Sequence, residues 1–390
     1  MHDADPPLLM AVAGSARQLF LLLRCITFSA ARAHVTIDKD GLKFAVSEGS
    51  SMEASTSLDK SLFTTYTFHA PAPQRADISD SDDPDDDAPS GPTFQVSLPA
   101  LLETLQIFGL TDPNTSRPPW ARDNAFATST AFFNNVLGVH NTCRITYHRE
   151  GAPLSLVLSE ASIRTTCDLS TYEPQYTEEI PFDRRSVVMK VIMPGSCLYD
   201  ALSELSSTSP DKLTMYVKTL DGKPFFALSA TGTLGSARVE FNNHSQPSRH
   251  TAGGVPDQQT SLLETFLLSH PSDLLRQSYK FALIQKAARA MSLGRKVSIR
   301  MDSQGVLSLQ FMVDMDAAAA AGAARAGGGT EAVSNTDKLS FINFVIVPLI
   351  EDDDNDDDEA HAAAEADIND ETILVNGNGS ESDQDDDMLT

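Results

Sequence analysis

The sequence predicts an α+β chain built from four copies of one strand–helix–hairpin unit. Three observations carry that prediction. In four segments, apolar residues alternate with period two on both sides of a glycine, the pattern of a β-hairpin. Ahead of each hairpin, apolar residues recur at i, i+3, i+4 or i+7, the pattern of one buried helix face. Ahead of each helix lies a short extended apolar run. Two units in each half predict two similar domains.

The first unit opens with the run from Leu8 to Ala13, continues through a helix face of Leu19, Leu22, Leu23 and Ile26, and closes with a hairpin from His34 to Ser47 around Gly41. The second runs from Thr93 to Leu98. Its helix face is Leu98, Leu101, Leu102, Leu105 and Phe108, and its hairpin spans Cys143 to Ser159 around Gly151. Pro99 suits a first helical position, where no N–H is needed. The third opens with Val187 to Met193, has Leu198, Ala201, Leu202 and Leu205 on its helix, and turns at Gly222 between Leu213 and Ser229. The fourth opens with Leu262 to Leu268. Its helix face is Phe281, Ile284, Ala288 and Met291, and its hairpin from Val297 to Asp314 turns at Gly305.

The pattern breaks in identifiable places. The Pro/Asp/Ser-rich stretch 70–92 reads as a solvated loop, and residues 111–124 and 242–258 as loops or insertions. The Ala/Gly run from Ala317 to Gly329 reads as a frayed helix or a flexible loop. Beyond Ile350 the chain is an acidic tail with too little apolar surface to offset the entropy of ordering it. The 390 residues carry 54 acidic and 29 basic side chains, a formal charge of −25. Seven acids and no base lie between Asp77 and Asp87, and seventeen acids and no base between Glu351 and Thr390. The remainder is nearly neutral, so the overall charge does not exclude a nucleic-acid partner. Leu19 to Leu23, bracketed by Arg17 and Arg24, is far short of the roughly 20 apolar residues of a membrane span. Asp3 and Asp5 are unlike the basic start of a secretory signal. Cys25, Cys143, Cys167 and Cys197 have no paired spacing, which fits a reduced intracellular chain.

Catalytic patterns are sparse. The glycines from Gly327 to Gly329 are not followed by a Lys-Ser/Thr pair, so no phosphate-cradling loop is read. His140, Cys143 and His148 are three potential metal ligands within nine residues, but ordinary polar side chains at a strand entry are the better reading. Glu103, Asp200, Glu204 and Asp302 follow no metal-binding spacing, and no Ser-His-Asp pattern stands out. The helices carry the other signal. Arg17 and Arg24 project opposite the apolar face of the first helix, and Lys286 and Arg289 opposite that of the fourth. The second and third helices present Glu103, Thr104 and Gln106, then Asp200, Ser203 and Glu204.

Four such units in two similar domains resemble the sliding-clamp (PCNA-like) architecture. Six segments resemble one branch, the Rad-one/Rec-one-type subunit of the nine-one-one checkpoint clamp. They are Ser61 to His69, Phe94 to Leu110, Cys167 to Gln175, Val187 to Ser207, Lys223 to Asn242 and Lys296 to Asp314, the last two being the most specific. The resemblance covers most of residues 8–350. It implies an N-terminal clamp domain over 1–167, a connecting loop over 168–185 and a C-terminal clamp domain over 186–350. Insertions are placed at 70–92, 242–258 and 317–337, and a disordered tail at 351–390. It further implies a non-catalytic subunit of a heterotrimeric ring around double-stranded DNA, in the nucleus, acting in DNA-damage checkpoint signalling and repair. Two other PCNA-like subunits, an ATP-dependent clamp loader and repair enzymes are the implied partners, with no cofactor, metal or membrane. Helices carrying Arg17, Arg24, Lys286 and Arg289 would face the DNA. Edge strands Ile163, Arg164, Thr165, Thr166 and Cys167, and Ala237, Arg238, Val239, Glu240 and Phe241, would face different neighbours. A partner-peptide pocket is expected at Met52, Tyr172, Pro174, Val347, Pro348 and Leu349. The alternatives are a 3′–5′ exodeoxyribonuclease, an activity attributed to the family, and an interaction scaffold that never encircles DNA.

Overall fold

Four glycines close four hairpins. Gly151, Gly222 and Gly305 sit at φ of +74°, +76° and +80°, where a Cβ is strained. Gly41 lies so close to the Leu58 carbonyl that a Cβ would collide with it. The computed structural model describes residues 6–14, 16–28, 32–70, 91–106, 142–160, 163–175, 179–220, 222–241, 261–315 and 339–350. Phe108, His140 and the expected insertions at 111–124, 242–258 and 317–337 lie outside the described residues, as do 71–90 and the tail.

The first half contains β1 (Leu9–Ala13), α1 (Ala16–Cys25), β2 (Arg32–Ile37), β3 (Gly41–Glu48), β4 (Met52–Asp59), β5 (Phe63–Phe68), β6 (Thr93–Ser97) and α2 (Leu98–Gln106). It continues with β7 (Thr142–Tyr147), β8 (Leu154–Glu160), β9 (Ile163–Leu169) and β10 (Thr171–Tyr172). The second half contains β11 (Val187–Pro194), α3 (Gly195–Leu205), β12 (Pro210–Leu220), β13 (Lys223–Gly232), β14 (Gly235–Phe241), β15 (Thr265–Leu268) and β16 (Leu275–Lys280). It ends with α4 (Phe281–Gln285), α5 (Ala288–Leu293), β17 (Lys296–Asp302), β18 (Leu307–Asp314) and β19 (Leu339–Ile346). The result is an α+β fold in which sheet predominates.

Each unit is a strand, a helical segment and three further strands. The helix carries the chain from one sheet to another. β1 lies in a five-stranded sheet of order β5-β1-β7-β8-β9, while β2, β3 and β4 lie in a ten-stranded sheet of order β10-β6-β2-β3-β4-β19-β18-β17-β11-β15. β16 lies in a four-stranded sheet of order β14-β13-β12-β16, while β17 to β19 return to the ten-stranded one. Among the described residues all pairings are antiparallel. β4 and β19 pair from Met52↔Ile346 to Thr56↔Ile342, so one sheet runs through both halves. The described residues up to Leu349 accordingly belong to one compact unit, with a continuous apolar core between sheets and helices.

The structure revises three expectations. The strand that leads the fourth unit is β16, not the run at 262–268; β15, within that run, pairs with β11 instead. β16 sets Arg276, Ser278 and Lys280 on the face opposite Gln277 and Tyr279; Ser278 is buried and Lys280 exposed, and this polar alternation hides the strand from an apolar scan. The fourth helix is two pieces. Lys286 and Ala287 donate to Leu283 and Ile284, three residues back, and this tighter turn separates α4 from α5. Finally, β9 continues to Leu169 and β10 (Thr171–Tyr172) pairs with β6, so the start of the expected connecting loop 168–185 is strand.

Candidate nucleic-acid interface

The amphipathic helices pack in one row. α1 lies against α2, α3 against α5, and α1 touches α5 where the halves meet. Arg17 and Arg24 are seven residues apart on α1, two turns or ~10 Å along the axis. Arg24 is exposed, with its guanidinium 5.7 Å from the Phe20 ring. Arg289 is also exposed and donates from Nη1 to the Arg24 carbonyl at 3.5 Å. The two arginines therefore share the α1–α5 seam. Beneath them lies Cys25, whose thiol is pushed up to about 12 by burial, against the opposing pull of Arg289 and Arg24. Arg17 is half-buried near the start of α1.

Lys286 departs from the expected arrangement. Its ammonium pairs with the Glu48 carboxylate at the end of β3 and stands 5.6 Å from the Phe28 ring. It is 24% exposed and its charge is already balanced. Of the four expected cations, the structure brings Arg24 and Arg289 together and holds Lys286 against the sheet. The flanking helices carry exposed Glu103 on α2, and exposed Asp200, Ser203 and Glu204 on α3. Positive charge is thus confined to the middle of the row.

The expected interface strands both lie at sheet edges, β9 in the five-stranded sheet and β14 in the four-stranded one. In β14 the Arg238 Nε pairs with Glu240 Oε1 at 2.9 Å. β13 and β14 pair from Phe226↔Phe241 to Gly232↔Gly235 across a two-residue turn. Antiparallel alternation then directs the Val239 N–H back to Leu228 and the Arg238 and Glu240 N–H groups outward.

The expected peptide pocket does not assemble. Met52 is 0% exposed in the core. Tyr172 lies at the far edge of the ten-stranded sheet, with the Arg32 guanidinium 3.5 Å from its ring centroid. Five strand spacings, ~24 Å, separate its strand from β19, which Val347, Pro348 and Leu349 follow. Val347 donates to Ser51 O, and Leu349 to Ser278 O. The grouping fails because proximity in this sheet follows strand order rather than chain order.

What does cross that sheet is the connecting segment. His34 Nε2 meets the Gln175 carbonyl at 3.0 Å, and the Phe182 ring lies 5.6 Å from the Arg300 guanidinium. Asp302, 1% exposed, accepts from the Asp183 N–H at 3.1 Å, and from Gln304 and Val306 N–H at 3.0 and 2.9 Å. Glu53 accepts from the Ile180 N–H; burial and the nearby Glu179 carboxylate raise its pKa, against Lys43 and His34. Sequence reasoning dismissed Asp302 for want of metal spacing. The Asp-x-x-Gly turn signals two of its bonds, but nothing local signals Asp183. Of the trio around Cys143, Cys143 is buried and His148 exposed. Among the described residues no three His, Cys, Asp or Glu side chains group as a metal site.

The fold is thus an α+β, sheet-rich chain whose helix row carries a basic seam and whose strands β9 and β14 lie at sheet edges among the described residues. The chain belongs to the Rad1/Rec1/Rad17 repair-protein family, whose model matches residues 8–313. It is 29% identical to the DNA damage checkpoint control protein rad1 of Schizosaccharomyces pombe over 337 residues, covering 85% of this chain and 84% of that protein. It is 27% identical to the human cell cycle checkpoint protein RAD1 over 313 residues, covering 80% and 88%. The DNA repair exonuclease REC1 of Mycosarcoma maydis is 28% identical over 232 residues, covering 53% of this chain and 47% of that protein.

Proposed function

We propose that this chain is a non-catalytic subunit of a PCNA-like, three-subunit ring that encircles double-stranded DNA in the nucleus and serves DNA-damage checkpoint signalling and repair. The observation that carries this reading is the single helix row joining both halves, with Arg24 and Arg289 in contact at its centre. A ring retains DNA topologically, so its lining needs only a weak, sequence-blind attraction, and a narrow basic seam supplies that. The free edges of β9 and β14 suit two different neighbours, because an uncovered strand edge is an aggregation hazard. Head-to-tail pairing of such edges closes a ring when the rotation closes. In this reading residues 1–167 and 186–350 act as two clamp domains. Two PCNA-like subunits, an ATP-dependent loader and repair enzymes are the partners. The checkpoint names of the fission-yeast and human relatives support the biological role.

The test is co-expression with candidate PCNA-like partners, mass measurement of the purified assembly, and retention on closed circular against linear DNA. A heterotrimer retained selectively on circles is expected. A lone chain, or equal retention, overturns the reading. The name of the Mycosarcoma maydis relative favours a second reading, a 3′–5′ exodeoxyribonuclease. Digestion of 3′-labelled duplex by highly purified protein with magnesium, in proportion to the protein through every purification step, would establish that second reading.

A further inference from the structure

On the outer face of the ten-stranded sheet, three cations gather where the connecting segment meets β11 and β17. Arg300 of β17 stands directly opposite Lys190 of β11, and Lys190 directly opposite Leu267 of β15. Their neighbours Met189, Val191, Ile299 and Met301 are buried in the core, so alternation turns Lys190 and Arg300 to the other face. Arg184 is the third cation. It is exposed, and lies two residues after Phe182, whose ring is 5.6 Å from the Arg300 guanidinium. Like charges directly opposite each other destabilise a sheet. Burial, and then the Arg184 charge, hold the Arg300 guanidinium below its usual pKa. Arg300 Nη2 donates to Ser308 Oγ at 3.1 Å, while its buried Nε has no hydrogen-bond partner among the described residues. A hydroxyl and a ring are both neutral and leave the charge unbalanced. Among the described residues no carboxylate forms an ion pair with Arg184, Lys190 or Arg300. The acids nearby in the chain are taken up by backbone. Asp302 accepts from the Asp183, Gln304 and Val306 N–H groups, and Asp183 from the Arg185 N–H. The row is open at its β15 end, where Leu267 is 58% exposed, and Lys190 beside it is half-buried.

We propose that Arg184, Lys190 and Arg300 form a binding site for a phosphorylated side chain of a partner protein, with an apolar residue of the same segment covering Leu267. Charge complementarity carries the proposal, which does not depend on the ring reading. A phosphoserine brings a charge of about −1.5 to −2 and three strong acceptor oxygens. The cluster supplies three cations that lack an anion, and a guanidinium fork meets two phosphate oxygens at once. Leu267 is two strand spacings, ~10 Å, from Arg300 along the same row. An extended segment covers that distance in about three residues, so the apolar residue stands about three positions from the phosphate. Nucleic acid fits less well. Its charge is strung along a backbone, one phosphate after another. Here the cations form one compact group beside an exposed leucine, not a strip. The helix row also lies beyond the core, on the other side of this sheet.

The test uses the full chain and a fluorescent nine-residue peptide of glycine and serine, with a central phosphoserine and a leucine three positions to either side. Anisotropy is followed at fixed salt. The wild type should bind this peptide at least ten-fold more tightly than its unphosphorylated counterpart. Arg184→Ala with Lys190→Ala should weaken binding at least ten-fold, and Leu267→Ser about five-fold. Lys190→Arg should retain it, and Arg24→Ala with Arg289→Ala should leave it unchanged. Thermal melting of each variant separates loss of the site from loss of the fold. The double alanine variant should melt no lower than the wild type, because it removes repulsion and no ion pair, and Arg184→Ala alone serves if it fails to fold. No peptide binding by the wild type, equal affinity for the two peptides, or unchanged affinity in the Arg184 variants overturns the proposal. An oligonucleotide bound as tightly as the phosphopeptide also overturns it, in favour of nucleic acid.

Discussion

Arg289 of α5 donates a hydrogen bond to the backbone carbonyl of Arg24 at the end of α1, at 3.5 Å. This contact brings together two cations 265 positions apart in the chain. It makes them the centre of the helix row and the first target for mutation. Each phosphate contact contributes about 0.9 to the log–log salt slope of DNA binding. Arg24→Ala with Arg289→Ala should therefore lower the slope of assembled rings by about 1.8. Binding should weaken on every sequence alike, with ring yield unchanged. A salt titration on linear DNA reads the slope, and an unchanged value removes the seam from DNA contact.

Lys286 should behave differently, because Glu48 holds it. Lys286→Ala should leave the slope nearly untouched. Glu48→Gln removes the balancing charge and frees the ammonium to turn toward phosphate. The slope should then rise by about 0.9. A gain of contact from a substitution on β3, outside the helix row, is a result that a purely structural ion pair does not produce.

The β14 edge offers a selective test of assembly. Proline removes a backbone donor. At Val239 it would break the bond to Leu228 inside the subunit, whereas at Glu240 the lost N–H faces outward. Glu240→Pro should therefore melt closer to wild type than Val239→Pro, although it also removes the carboxylate paired with the half-buried Arg238. It should lose one neighbour and keep the other. Co-purification of both neighbours at wild-type yield would show that this edge is not an interface.

Asp302 ties the connecting segment to the β17–β18 turn. Asp302→Ala leaves the Asp183, Gln304 and Val306 N–H groups without their shared acceptor. The Val306 N–H is buried and the other two are part-buried, and a buried unsatisfied group costs about 1–3 kcal/mol, so the variant should lose about that much in urea unfolding. Hydrogen exchange at the Asp183 amide should accelerate. Unchanged exchange there would show that the tether is not closed in solution.

Glu53 gives a pH signature. Burial and Glu179 raise its pKa in the fold above the ordinary value of 4.5. The unfolded chain then holds fewer protons than the folded one between those two values, so stability falls as pH rises through that window. Glu53→Gln mimics the protonated form and keeps an acceptor for the Ile180 N–H. It should raise the melting temperature at neutral pH, and the gain should shrink as pH falls toward 4.5. A gain independent of pH would assign the effect to something other than ionisation.

The four units, the hairpin glycines and the buried faces of the first three helices were legible in the sequence, because each depends on residues within one or two turns or strand steps. Leu19, Leu22 and Leu23, spaced for one helix face, are all buried. Arg24 was legible as outward for the same reason. β16 was not, because one of its faces is polar and the other includes Gln277. The break between α4 and α5 was not, because the apolar period runs through it.

The sequence by itself determined which faces must be covered and where charge accumulates, since periodicity and composition are local properties of the chain. Only the tertiary structure decided which faces meet. Met52, placed by resemblance in a peptide pocket, is buried because β4 pairs with β19. Lys286, outward by helical phase, is neutralised because the fold brings the turn after α4 within reach of Glu48 at the end of β3. Arg24 and Arg289 became neighbours only when the halves closed. Such pairings are set by long-range strand order and shared burial, and the free energy that selects them belongs to the folded whole.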